Sequence, residues 1–157
     1  MFKTIVWATD GSENADRALP YAKELASRDG GALVAVHVIE TFAGQRAASQ
    51  PLYANEADLR AKVEDQVADM VSHGIDARAE VLAARAPGAA HQIADAASDA
   101  GADLIVIGTR GHSRLAGLLV GSVTQRLLHV ASCPVVAVPP AAARVDGEGA
   151  DLASATA

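Results

Sequence analysis

Three observations predict an α/β fold, a doubly wound parallel sheet of five strands. Short apolar runs alternate with segments of helical period along the 157 residues. Most of those runs are continuous, as in strands buried on both faces, rather than alternating with polar residues. Gly, Pro or Asp clusters separate the segments, and strands joined through helices cross over right-handed into a parallel sheet. The length suits one domain. Half of the residues are hydrophobic but aromatics make up only 3%, so the interior must be closely packed Ala, Val, Leu and Ile.

The first strand is Thr4 to Ala8, followed at once by Thr9-Asp10-Gly11-Ser12, a turn cluster that can also cap a helix. Ala15, Ala18, Leu19, Ala22, Leu25 and Ala26 then recur on one helical face until Asp29-Gly30-Gly31 ends it, with Pro20 expected to bend the helix. Ala32 to Ile39, interrupted only by His37, reads as the second strand, and Glu40 to Pro51 has no period. Leu59, Val63, Val67, Met70 and Val71 form another helical stripe closed by His73-Gly74, and Ile75 to Ala83 alternates as a third strand. Pro87 suits the first turn of a helix whose face is Ala89, Ile93, Ala96, Ala97 and Ala100, stopped by Gly101. Asp103 to Gly108 is the fourth strand. A glycine-punctuated loop leads to a helix using Val123, Leu127, Val130 and Ala131, and Pro134 to Val138 is the fifth strand. From Ala141 onward almost nothing can be buried, so residues 1–140 form the domain and 141–157 a disordered tail.

Charge and composition exclude several classes. A formal charge of -6 argues against affinity gained by neutralising nucleic-acid phosphates or coating an anionic membrane. No apolar run approaches the roughly 20 residues that span a bilayer. The one cysteine, Cys133, cannot form an internal disulfide and reads as a small buried apolar residue rather than a reactive thiol. With no charged-then-apolar leader, the expected location is cytoplasmic.

Ligands of open α/β sheets sit outside the carboxyl ends of the strands where strand order reverses, which points to the turns after strands one and four. After strand four stands Gly108-Thr109-Arg110-Gly111, and after nine more residues Gly121-Ser122-Val123-Thr124 opens the last helix. Glycines admit an anion to backbone N–H groups, and a helix start adds unpaired N–H groups and partial positive charge. Ser122 and Thr124 offer hydroxyl donors, and Arg110 and Arg114 offer countercharge.

These two glycine turns, together with Thr9-Asp10-Gly11-Ser12 and a closing Cys-Pro-Val-Val-Ala-Val-Pro, resemble the nucleotide-binding branch of the universal stress protein family over Phe2 to Pro139. The resemblance implies the strand order 3-2-1-4-5 and ATP as ligand. It implies that Gly108, Gly111, Gly121 and Ser122 hold ribose and phosphates with Val123 and Thr124 beside them. Asp10 would meet the ribose side and the backbone around Val38 the adenine, while Ala8 stands where some members have proline. In that order the fifth strand lies at an uncharged sheet edge, which implies a homodimer through Pro134 to Val138.

Each residue also has a plainer reading. Asp10 before a helix is a routine cap, Ser12 is a cap rather than a nucleophile, and Arg110 and Arg114 can be simply solvated. His112 has no carboxylate partner and no G-x-S-x-G elbow, so no catalytic triad is assigned. His37 and His129 read as packed or solvated, and His73 and His91 as helix surface, because none has a second ligand at zinc spacing. There is no G-x-x-x-x-G-K-[ST] loop and no G-x-G-x-x-G after the first strand, so at most weak ATP hydrolysis is expected. No loop carboxylate pair offers a metal cage, so Mg2+ would be held through the nucleotide's own phosphates. The function expected is an ATP-binding regulatory protein of stress responses that senses or holds its ligand. A slow ATPase or phosphotransferase using the same pocket, and a dimeric interaction module with a structural nucleotide, are the alternatives.

Overall fold

The computed structural model describes residues 2–41, 56–111 and 120–140. Strands and helices alternate as β1 (Thr4–Thr9), α1 (Glu13–Asp29), β2 (Ala32–Thr41), α2 (Glu56–Ser72), β3 (Asp76–Arg85), α3 (Ala89–Asp99), β4 (Leu104–Gly108), α4 (Ser122–Val130) and β5 (Val135–Val138). The sheet has the order β3-β2-β1-β4-β5, and every neighbouring pair is parallel. This is the order that the resemblance implied. The expected tail, His112 and Arg114 lie outside the described residues.

β1 is central, and Ile5 to Ala8 are at most 2% exposed. Because strand side chains alternate between faces, the residues of the inner strands divide into two cores. Ile5, Trp7, Leu33, Ala35, Leu104 and Val106 pack towards α1 and α2, whereas Val6, Ala8, Val34, Val36, Ile105 and Ile107 pack towards α3 and α4. Both faces are covered, which is why these strands read as continuous apolar runs.

The helices meet the sheet through small side chains. α1 buries Ala15, Ala18, Ala22 and Ala26 and runs unbroken through Pro20, with Leu19 and Leu25 only half-buried at its flanks. α3 buries five alanines and Ile93. Methyl groups at the contact let a helix approach closely enough to interlock with the sheet. The fully buried Trp7 donates from its indole N–H to the Ala15 carbonyl at 3.1 Å, tying β1 to α1.

Strand and helix ends depart from the sequence pattern for identifiable reasons. β2 and β3 continue to Thr41 and Arg85, beyond the expected Ile39 and Ala83, because ladder bonding between them outlasts the hydrophobic pattern. Pro87 precedes α3 rather than occupying its first turn. Its start is set by Glu40 of β2, whose carboxylate accepts from the Gly88 N–H at 2.7 Å and the Ala89 N–H at 2.9 Å. Val71 is 53% exposed instead of joining the α2 stripe, since Met70 already occupies the inward position of that turn.

The start of β1 is tied to Asp103, whose Oδ2 accepts from the Lys3 N–H at 2.7 Å and the Thr4 N–H at 3.0 Å. The bonds from Thr4 and then Lys3 hold this carboxyl below its ordinary 3.8 against a small opposing effect of burial. A lowered folded-state value contributes stability above pH 3.8 that is lost as pH falls through that lowered value. Asp103→Asn is therefore expected to lower Tm near neutrality, with the gap to wild type closing below pH 3.8. A gap independent of pH would show that the carboxylate charge is not what holds β1.

Candidate functional site

Strand order reverses between β1 and β4, so a crevice opens outside their carboxyl ends. The turn after β1 is built by its own side chains. Thr9 Oγ1 accepts from the Gly11 N–H at 3.1 Å, Asp10 Oδ1 from the Ser12 N–H at 3.0 Å, and Ser12 Oγ from the Ala15 N–H at 3.2 Å. The cap of α1 is thus Ser12, and Asp10 shapes the turn ahead of it. Gly11 has φ +75°, and Leu59 Cδ2 lies 2.5 Å from where its Cβ would stand.

The turn after β4 meets this one. A Cβ on Gly108 would stand 2.7 Å from the Asn14 carbonyl oxygen, and one on Gly111 would overlap Asp10 Oδ2. Gly108 is required by the backbone of the first turn of α1, whereas Gly111 gives its place to the Asp10 carboxylate. Gly121 differs. Its φ of -69° suits any residue, and among the described residues a Cβ would meet the Thr109 carbonyl oxygen closely at 3.3 Å and Arg110 Cα at 3.7 Å.

Among the described residues the start of α4 has no side-chain cap. Gly121 donates its N–H to Thr109 O at 2.6 Å but provides no capping side chain, and the first helical bond runs from the Gln125 N–H to Gly121 O at 2.9 Å. The N–H groups of Ser122, Val123 and Thr124 have no acceptor within the helix and stand at the positive end of its dipole. Ser122 is exposed. Thr124 is buried and spends its hydroxyl proton on the Gly108 carbonyl at 2.9 Å, so it clasps α4 to β4 rather than donating outward. Thr109 Oγ1 and Arg110 Nε are buried in the same loop with no hydrogen-bond partner among the described residues. Such orphans cost about 1–3 kcal/mol each.

The crevice thus brings together Thr9, Asp10, Gly108, Arg110, Gly111, Gly121, Ser122, Val123 and Thr124. Ala8 is 2% exposed and packs in the core facing α3 and α4, below the crevice. Val38 is half-buried in the second half of β2, one residue beyond His37, which pairs with Thr9. Cys133 is half-buried, and burial, with the Asp103 charge, pushes its thiol upward and keeps it protonated. Among the described residues no group of three or more His, Cys, Asp or Glu is arranged to hold a metal ion.

Sequence reasoning read His37 as packed or solvated, which its burial bears out, but not its role beside the site, and it passed over Glu40 and Lys62. His37 is 2% exposed, donates from Nδ1 to Thr9 O at 3.0 Å and pairs through Nε2 with Glu56 of α2. A polar residue inside an apolar run was the available signal. Glu40, which sets α3, and Lys62, which reaches the Gly11 carbonyl at 2.8 Å, gave none, because their partners are remote in sequence.

Comparison with known proteins is consistent with this geometry. The profile of the universal stress protein family matches residues 1–139. A Thermus aquaticus relative, described as the universal stress protein in the QAH/OAS sulfhydrylase 3' region, is 35% identical over 140 residues, 88% of this chain and 99% of its own length. The solved structure of the Methanocaldococcus jannaschii protein MJ0577 has a TM-score of 0.73 at 23% identity, covering 91% of this chain and 99% of that one, a likeness of fold. A universal stress protein from Archaeoglobus fulgidus, solved in complex with dAMP, is 26% identical with a TM-score of 0.60, covering 88% of this chain and 98% of that one.

The contrast among the glycines is testable. Gly108→Ala is expected to destabilise the fold by roughly 1–3 kcal/mol, because backbone rather than a flexible side chain opposes the new methyl. Denaturant unfolding with an unchanged midpoint would mean that β4 and α1 separate without penalty.

Proposed function

The chain belongs to the universal stress protein family, and on that premise we propose that it binds an adenine nucleotide, ATP first among them, and holds or senses it. The observation that carries this reading is the N-terminus of α4 at Gly121, which has no side-chain cap, beside the Arg110 Nε, which has no hydrogen-bond partner among the described residues. Phosphates accept from the N–H groups of Ser122 and Val123 and from the Ser122 hydroxyl, and Arg110 screens their charge. Asp10 accepts from the ribose, and the β2 backbone around Val38 borders the base. Mg2+ is carried by the phosphates. The dAMP complex of the Archaeoglobus fulgidus relative supports adenine as the base. The assembled groups bind and orient, and no catalytic residue is assigned among them.

Protein purified without added ligand is expected to release an adenine nucleotide on denaturation. Gly121→Val should still fold, with the cost of its contact against Thr109 O read from Tm, yet lose more than about tenfold in ATP affinity by calorimetry, about 1.4 kcal/mol. Unchanged affinity would make the loop an ordinary turn.

We also propose a homodimer through β5. The opposite sheet edge, β3, carries Asp76, Arg78, Glu80 and Arg85, charges that discourage pairing, whereas β5 is Val-Val-Ala-Val with Val136 39% exposed. A two-fold axis beside β5 lets each copy satisfy the other's edge N–H and C=O groups. Val138 is 7% exposed in the core, so the informative change is Val136→Lys alone. Light scattering is expected to show a dimer for wild type and a shift towards monomer for the variant. A wild-type monomer would refute the proposal.

A further inference from the structure

The carbonyls of the residues on either side of Asp10 are both tied to α2, that of Gly11 directly and that of Thr9 through His37 of β2. Thr9 O accepts from His37, whose other ring nitrogen pairs with Glu56 in the first turn of that helix. Gly11 O accepts from Lys62, which also pairs with Asp16, and Gln66 donates to Asp16 at 2.9 Å. Between these ties Leu59 fills the space beside Gly11. Glu56, Leu59, Lys62 and Gln66 recur three and four residues apart, so one face of α2 makes every contact. Apolar burial alone holds this helix weakly, since only Leu59, Val63 and Met70 of its 17 residues are buried.

We propose that α2 sets the turn that carries Asp10, with Lys62 and His37 as positioning residues for nucleotide binding. The inference rests on the adenine-nucleotide reading above. The turn's own side-chain bonds fix the N–H groups of Gly11 and Ser12. Of its two flanking carbonyls, α2 holds Gly11 O directly through Lys62 and Thr9 O indirectly, through Glu56 and His37. Releasing one lets the Thr9–Gly11 backbone rotate and re-aims the carboxylate by the fraction of an ångström that binding geometry does not tolerate. Coupling is reciprocal, so a nucleotide that needs Asp10 in place must in turn tighten the docking of α2.

Two measurements on the full chain test this. Hydrogen exchange with and without saturating ATP and magnesium is expected to show the amides of Leu59 to Gln66 slowed by ligand. Calorimetry should give roughly tenfold weaker ATP binding for Lys62→Met, within the usual span of coupling energies. Lys62→Arg, which keeps donors for both Gly11 O and Asp16, should recover most of it. The Lys62 side chain is 39% exposed, so Lys62→Met keeps its core, and its Tm registers any general loss separately. If wild type binds ATP but α2 exchange is unchanged, or Lys62→Met binds as wild type does, or Lys62→Arg is as weak as Lys62→Met, the positioning role is overturned alone. If wild type takes up no adenine nucleotide, the functional reading falls and this inference with it.

Discussion

The crevice exists because β1 and β4 run parallel, side by side, and end at the same level. Ala8 pairs with Ile107 at the last rung, so the chain leaves Thr9 and Gly108 as neighbours. The two outgoing turns are then pressed together, Gly108 against the first turn of α1 and Gly111 against the Asp10 carboxylate. A slip of one residue in that pairing would turn every inward side chain of β4 to the opposite face. The two separate cores, with Leu104 and Val106 in one and Ile105 and Ile107 in the other, forbid such a slip.

Small residues make this closeness possible on both sides of the sheet. Alanine ridges on α1 and α3 seat the helices low, so the N-terminus of α1 comes near enough to β4 for a carbonyl to occupy the place of a Gly108 side chain. Trp7, the largest buried side chain, underlies this arrangement and binds α1 directly through its indole. Below the crevice the protein is a densely interlocked layer, and interlocked layers transmit small displacements rather than absorbing them. The turn that carries Asp10 sits on this rigid base, and α2 reaches it largely through polar contacts.

Glycines that look alike along the chain do different work. Gly11 combines a left-handed backbone with contact against Leu59, Gly108 is denied a side chain by the α1 backbone, Gly111 yields its place to the Asp10 carboxylate, and Gly121 lies close to the Thr109 carbonyl. Thr124 likewise turned from a presumed donor into a clasp, because its hydroxyl found a carbonyl 2.9 Å away.

The amino-acid order by itself determined the alternation of strands and helices, the burial of β1, β2 and β4 on both faces, and the two turns where the crevice opens. Each of these follows from hydrophobic period and turn chemistry, which act over a few neighbouring residues. Strand order came from resemblance and not from period. Only the tertiary structure decided that Ser12 and not Asp10 caps α1, that Glu40 starts α3, and that His37 and Lys62 hold the carbonyls flanking Asp10. Those roles depend on hydrogen bonds between groups far apart in the chain. A polar side chain's partner is chosen by which backbone the packed helices bring within about 3 Å, and no local pattern carries that distance.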